Sequence, residues 1–154
     1  MAHFVKGPAY RTPFGKNVYR GTVDDVSLES YTFAASTCPS VTIDGIAGQK
    51  VLQPGTLVAK ISVGGEAGKI GPYEAAATDG RQSASAIVGF CDTFLPYQLM
   101  DRDVEVAVLY AGVVTQANCF EVVAGAFAAL TTPTKVLCDT QIRGVLYRKA
   151  STEL

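Results

Sequence analysis

From residue 24 onward, apolar and polar side chains alternate in short runs separated by glycine, proline and Asp-Gly pairs. A period of two over about four to eight residues is the signature of half-buried strands. The pattern predicts strands over 27–33 (SLESYTF), 40–46 with a turn at Asp44-Gly45, 49–52, 56–63 (TLVAKISV), 69–73, 84–91 (ASAIVGFC) and 103–110 (DVEVAVLY). Gln53-Pro54-Gly55 fits a type II turn, because proline suits its first central position and glycine its second. In 56–63, Leu57, Ala59, Ile61 and Val63 are expected on one face, with Val58 and Lys60 on the other. Gly112 is expected to break the strand that begins at 103, with 113–115 continuing beyond it. The stretch 64–83 reads as loop-rich and 94–102 as a surface loop.

Near the C-terminus the period changes. Thr132-Pro133 suits a helix start, since threonine can cap and proline is tolerated at the first helical position. The helix is expected over 134–142, with Gly144 placed to end it. A last strand follows over 145–148. Residues 116–130 (QANCFEVVAGAFAAL) are ambiguous, because alanine favours helix while Val122-Val123 and Gly125 oppose it. The whole reads as a mainly β domain with one short C-terminal helix.

Residues 1–23 follow neither period. They carry Lys6, Arg11, Lys16 and Arg20, no acid, and Phe4, Tyr10, Phe14 and Tyr19 among five glycines and prolines. That density of helix breakers predicts an extended arm, 1–23, ahead of a β-rich body, 24–154. Cations interleaved with aromatics suit a solvated tail, contact with nucleic acid, or docking on a partner protein.

Composition narrows the function classes. The 154 residues are 48% hydrophobic and 18% charged, with a formal net charge of −1. Apolar mass on this scale supports a real core and leaves greasy surface that symmetric subunit contacts would bury. A homo-oligomer that binds is therefore expected. The near-neutral balance offers no domain-wide basic field for nucleic acid. No apolar run approaches the ~20 residues of a membrane span, and MAHFVKGPAY lacks the apolar stretch of a signal peptide.

Chemistry is sparse. The single histidine, His3, lies in the arm, which leaves no histidine base or multi-histidine metal site for the body. Cys38, Cys91, Cys119 and Cys138 form no C-x-x-C pair. They read as four buried thiols of a reducing compartment, with a disulfide as the other possibility. Gly64, Gly65, Gly68 and Gly71 lack the Lys-Ser or Lys-Thr of a phosphate loop and read as a mobile hairpin loop. Asp24, Asp25, Asp79, Asp92, Asp101 and Asp103 each suit a turn or strand end. Ser62 or Ser83 beside Lys60 or Lys69 makes no motif. No enzyme, metal or cofactor is expected.

Three stretches carry a resemblance. IAGQKVLQPGTLVAKI (46–61), KIGPYEAAATDGRQSASAIVGF (69–90) and DVEVAVLYAGVVTQANCF (103–120) resemble, in order, segments of the lambda-type bacteriophage head decoration proteins. The tail TPTKVLCDTQIRGVLYR resembles the family's short helix and final strand. Gly48, Gln49, Gly55, Thr56, Pro72, Tyr73, Asp79, Gly80 and Gln82 are the positions that match the family's pattern. The Pro-Tyr…Asp-Gly-x-Gln stretch is the most specific of them. The arm and 24–43 are longer than in compact members, and 91–102 and 121–131 look like insertions.

The resemblance implies a small mixed β-barrel of the β-tulip kind, assembled as a homotrimer on three-fold and quasi-three-fold positions of the expanded head. It implies an arm that orders against the major capsid protein through Phe4, Lys6, Tyr10, Arg11, Phe14, Lys16, Tyr19 and Arg20. The protein would be made in the host cytoplasm and end on the outer surface of the virion. It would use no cofactor, contact neither nucleic acid nor membrane, and cement the shell against internal DNA pressure. Two other classes suit parts of the chain. A lipoyl-like carrier would use the strand–turn–strand of VLQPGTLVAKI and a modified lysine. A trimeric small-molecule hydrolase would need carboxylates gathered between subunits.

Overall fold

A computed structural model describes residues 26–141 and 144–148. All eight arm positions, with Asp24 and Asp25, lie outside the described residues. Ten strands and one α-helix follow in the order β1 (Ser27–Phe33), β2 (Ser40–Ile43), β3 (Ile46–Lys50), β4 (Leu57–Lys60), β5 (Ile70–Pro72), β6 (Ile87–Cys91), β7 (Val104–Thr115), β8 (Phe120–Val123), β9 (Ala126–Ala129), α1 (Thr132–Gln141) and β10 (Gly144–Arg148). The mainly β class with one C-terminal helix is as the periodicity indicates.

The main sheet has the order β1-β5-β4-β6-β7-β10, and β1 pairs again with β7. The β1–β7 ladder runs antiparallel from Ser27↔Ala111 to Phe33↔Val104. By contrast, β1 meets β5 at the single pair Phe33↔Ile70. The sheet therefore curls toward itself without closing, and the implied barrel is incomplete. A ladder needs a run of paired residues, and β1 overlaps β5 only at Phe33, its last residue. Strands β2 and β3 form one separate hairpin, β8 and β9 another.

The differences from the sequence reading have local causes. The strand expected over 40–46 is two strands, with Asp44 (φ 50°) and Gly45 (φ 78°) forming the two-residue turn between Ile43 and Ile46. Both central residues at positive φ is the hairpin geometry that matches strand twist. A second such turn, Ala124 (φ 51°) and Gly125 (φ 76°), makes 120–129 a hairpin. Alanine in that conformation is uncommon, so the ambiguous stretch gave no turn signal.

Strand β4 ends at Lys60 rather than 63. The amides of Ser62 and Val63 instead donate to the Asp79 carbonyl at 2.9 and 3.1 Å, and Val63 is 62% exposed. Residues 84–86 form a 3₁₀ turn, so β6 begins at Ile87. Strand β7 runs through Gly112 unbroken. Gly144 is the first residue of β10, where the sequence pattern predicts a helix cap, and α1 starts at Thr132 rather than 134.

Val58 does face away from Leu57 and Ala59, as the alternation predicts, and all three are fully buried. Alternate residues enter two cores on the two sides of the sheet. Leu57, Ala59, Phe90, Leu109 and Val114 pack with Cys138 of α1. Val58, Phe33, Ile70, Val106 and Val108 pack with Leu52, Leu95 and Leu99. A strand covered on both faces reads as a continuous apolar run, which is why LVA does not alternate. Truncating Leu57 or Phe90 would cost about 2–5 kcal/mol through the cavity left behind.

Candidate functional site

Seven of the nine family-like positions converge on two joints between strands. In the first, the Gly55 amide donates to the Cys91 carbonyl at 2.7 Å, and the Gly55 carbonyl accepts from Phe120 at 2.9 Å. The Thr56 hydroxyl donates to the Gln53 carbonyl at 2.8 Å, while its carbonyl accepts from Cys91 at 2.8 Å. Gly55 has φ 92°, as the type II turn requires. Thr56 is fully buried, and its hydroxyl is satisfied inside the turn, which avoids the cost of an unpaired polar group.

The second joint spans 72–82. The Tyr73 amide donates to the Leu57 carbonyl at 2.8 Å, and the Tyr73 carbonyl accepts from Val122 at 3.0 Å. Its side chain is buried in the helix-side core, where burial first, then Glu121 and Cys138, push the phenol pKa up. Arg81 is 8% exposed. Its Nε donates to both oxygens of Asp79 at 3.0 and 2.9 Å, and its Nη1 to the Pro72 carbonyl at 2.8 Å. A guanidinium suits this place because its donors are held in one rigid plane. The Gly80 amide donates to Gln82 Oε1 at 2.9 Å, which closes the turn.

Strand β8 links the joints, since Phe120 bonds Gly55 and Val122 bonds Tyr73. Gly55, Thr56, Pro72, Tyr73, Asp79, Gly80 and Gln82 thus belong to one framework. Gly48 and Gln49 do not. They lie on β3 in the β2–β3 hairpin, where Gln49 pairs with Val41.

Three groups have roles that the sequence pattern does not assign. Arg81 is the hub of the second joint, and its only signal was an aspartate two residues earlier. Glu121 is 4% exposed, and its Oε1 accepts from the Thr131 amide at 3.3 Å just before α1 begins. A carboxylate at a helix N-terminus is favourably placed against the helix dipole. The third group centres on Lys69, whose ammonium bonds Asp103 and Glu66. Hydrogen bonds to Asp103 first, then Glu66, hold the Lys69 pKa above its ordinary value.

The Lys69 pairing orders the glycine-containing loop of 61–69. The Ile61 amide donates to the Lys69 carbonyl at 2.9 Å and that of Gly68 to the Ile61 carbonyl at 3.0 Å. Lys60 lies over the Tyr31 ring at 5.6 Å. Neither lysine stands at a hairpin tip. Among the described residues no three His, Cys, Asp or Glu side chains gather as metal ligands. Asp79 serves Arg81 and Asp103 serves Lys69, so the acids are divided rather than pooled.

The four cysteines are buried and form no disulfide. Cys38 and Cys91 share one core, Cys119 and Cys138 the other. Burial pushes the thiols of Cys38, Cys91 and Cys119 up to about 12, which suppresses the reactive thiolate.

The outer surface offers contact material. Phe94, Tyr97 and Met100 are 40%, 65% and 46% exposed on one short loop, while Leu95 and Leu99 between them are buried. Leu52 and Leu95 exchange backbone bonds at 3.0 Å, which fixes the loop against the chain leaving β3. Aromatic side chains and methionine held on such a support are the residue types enriched at protein interfaces.

A scan against protein-family models finds no match, and no curated protein matches the chain.

Proposed function

We propose that this chain is a capsid decoration protein of the lambda type, a homotrimer that cements an expanded phage head. The observation that carries the reading is the joint at 72–82. The stretch that most resembles the family is also the one on which two strands and a hairpin are hung through Arg81, Asp79 and Tyr73. Such a framework is suited to bearing load rather than to turnover.

The mechanism is mechanical. Packed DNA pushes the shell outward, and a trimer that bridges neighbouring capsomers adds buried contact where they would separate. Binding the expanded form and not its precursor stabilises that form by linkage. The arm, residues 1–23, supplies cations and aromatics for the capsid surface. Three arms per trimer raise avidity by ~100-fold or more over one. The supported apolar side chains Phe94, Tyr97 and Met100 are material for subunit or capsid contact.

Co-sedimentation with expanded and unexpanded heads tests the reading. We expect the protein in the pellet of expanded heads alone. Equal absence from both pellets refutes it, as does turnover of a small-molecule substrate.

A further inference from the structure

A 3₁₀ turn, Ala35–Thr37, is held by charged groups from three remote parts of the chain. The Ala35 amide donates to Asp103 Oδ1 at 2.8 Å, and the Ala35 carbonyl accepts from Lys50 Nζ at 2.7 Å. The Ser36 hydroxyl donates to Glu66 Oε1 at 3.4 Å. Lys69 Nζ then bonds both Asp103 Oδ2 and Glu66 Oε2. The turn after β1, the end of β3, the β4–β5 loop and the entry to β7 are thereby tied at one place.

We infer that Asp103 is an acid-released latch, which couples the Ala35–Thr37 turn to the β4–β5 loop while its carboxylate is charged and uncouples them when it is protonated. Both of its oxygens are spoken for, one by an amide and one by an ammonium. Protonation removes the charge that draws Lys69 and weakens the acceptor for Ala35.

The surrounding charges are few. Lys69 faces Asp103 directly, and Glu66 faces it through Lys69. Lys50 lies across the Ala35 peptide. On its own approach, Asp101 and Arg102 pair with each other at 3.4 Å. Arg81, which nears Thr37 across Gly71, is engaged by Asp79.

The sign follows from the bonding. Lys69 first, then the Ala35 amide, hold the Asp103 pKa below its ordinary value of 3.8. Its contribution is complete above that value and is lost as pH falls through the lower, folded-state one. Lys69 stays charged throughout, because its own pKa is raised.

Native-state amide exchange, corrected for intrinsic rates, tests this between about pH 6 and pH 2.5. The Tyr73 amide, bonded to the Leu57 carbonyl and outside the Asp103–Lys69–Glu66 cluster, is the internal reference. We expect Ala35 protection to fall by about fivefold in acid while Tyr73 is unchanged, a population change of the size an exposed ion-pair network carries. In Asp103→Asn, which keeps an acceptor for Ala35, protection should not vary with pH. In Lys69→Gln, the carbon-13 titration of the Asp103 carboxyl should move up toward the ordinary value. Three outcomes overturn the latch: a wild-type profile in Asp103→Asn, parallel loss at Ala35 and Tyr73, or an ordinary titration of Asp103 in the unaltered protein.

Discussion

The guanidinium of Arg81 donates from Nη1 to the main-chain carbonyl of Pro72 at 2.8 Å, while its Nε holds both oxygens of Asp79. One side chain therefore joins β5 to the turn that receives the end of β4. Replacing Arg81 with alanine leaves the buried Pro72 carbonyl unpaired and a partly buried Asp79 without its cation. The expected loss is about 2–4 kcal/mol in urea unfolding, read as a lower midpoint with unchanged slope. Arg81→Lys should recover only part, because a point charge cannot serve Asp79 and Pro72 together.

Gly80 has φ 103°, and a Cβ there would fall 2.0 Å from Ser62 Oγ. Gly80→Ala should destabilise by about 1–3 kcal/mol, combining strain and overlap. Adding Ser62→Gly should return part of that loss, since it removes the hydroxyl but not the strain. A full double-mutant cycle by thermal unfolding measures the share.

At Gly89 the obstacle is backbone. A Cβ would lie 2.3 Å from the Leu109 carbonyl oxygen, where β6 crosses β7. No rotamer change relieves that contact, so Gly89→Ala should cost upward of about 3 kcal/mol. The same unfolding assay should rank it below Gly80→Ala in stability.

The buried thiols should resist alkylation. At about pH 8 the folded protein should take up little iodoacetamide over an hour, and all four cysteines should react once it is unfolded in urea. Rapid labelling of Cys38, Cys91 or Cys119 in the native state would contradict their burial.

Removing residues 2–20 should leave the body with its unfolding midpoint intact and weaken attachment to expanded heads by ~100-fold. Light scattering of the unaltered protein should report three copies of the 16.2 kDa chain, and the shortened one should remain a trimer. Undiminished attachment would take the arm out of the capsid contact, and a monomer at all concentrations would remove the trimer.

The sequence by itself determined the class and most of the strands. Period-two runs such as 27–33 and turns such as Asp44-Gly45 and Pro54-Gly55 are short-range signals, written in neighbouring residues. The helix start at Thr132-Pro133 is of the same kind. It did not reveal the 120–129 hairpin, because Ala124 adopts its positive φ only under the constraint of the β8–β9 ladder. Nor did it reveal that the Val58 face is buried as well as the Leu57 face, since a strand's second face is covered only by what the rest of the chain brings to it.

The partners of single charges were decided by the tertiary structure alone. Asp103 and Lys69 are 34 residues apart, as the chain counts them, and become neighbours through β-sheet pairing. Arg81 lies in the stretch 64–83 that reads as loop-rich, and folding buries it against Pro72. Hydrophobic periodicity is a property of a stretch and survives in the sequence. Ion pairs and joints depend on which stretches meet, and that information exists only in the folded arrangement.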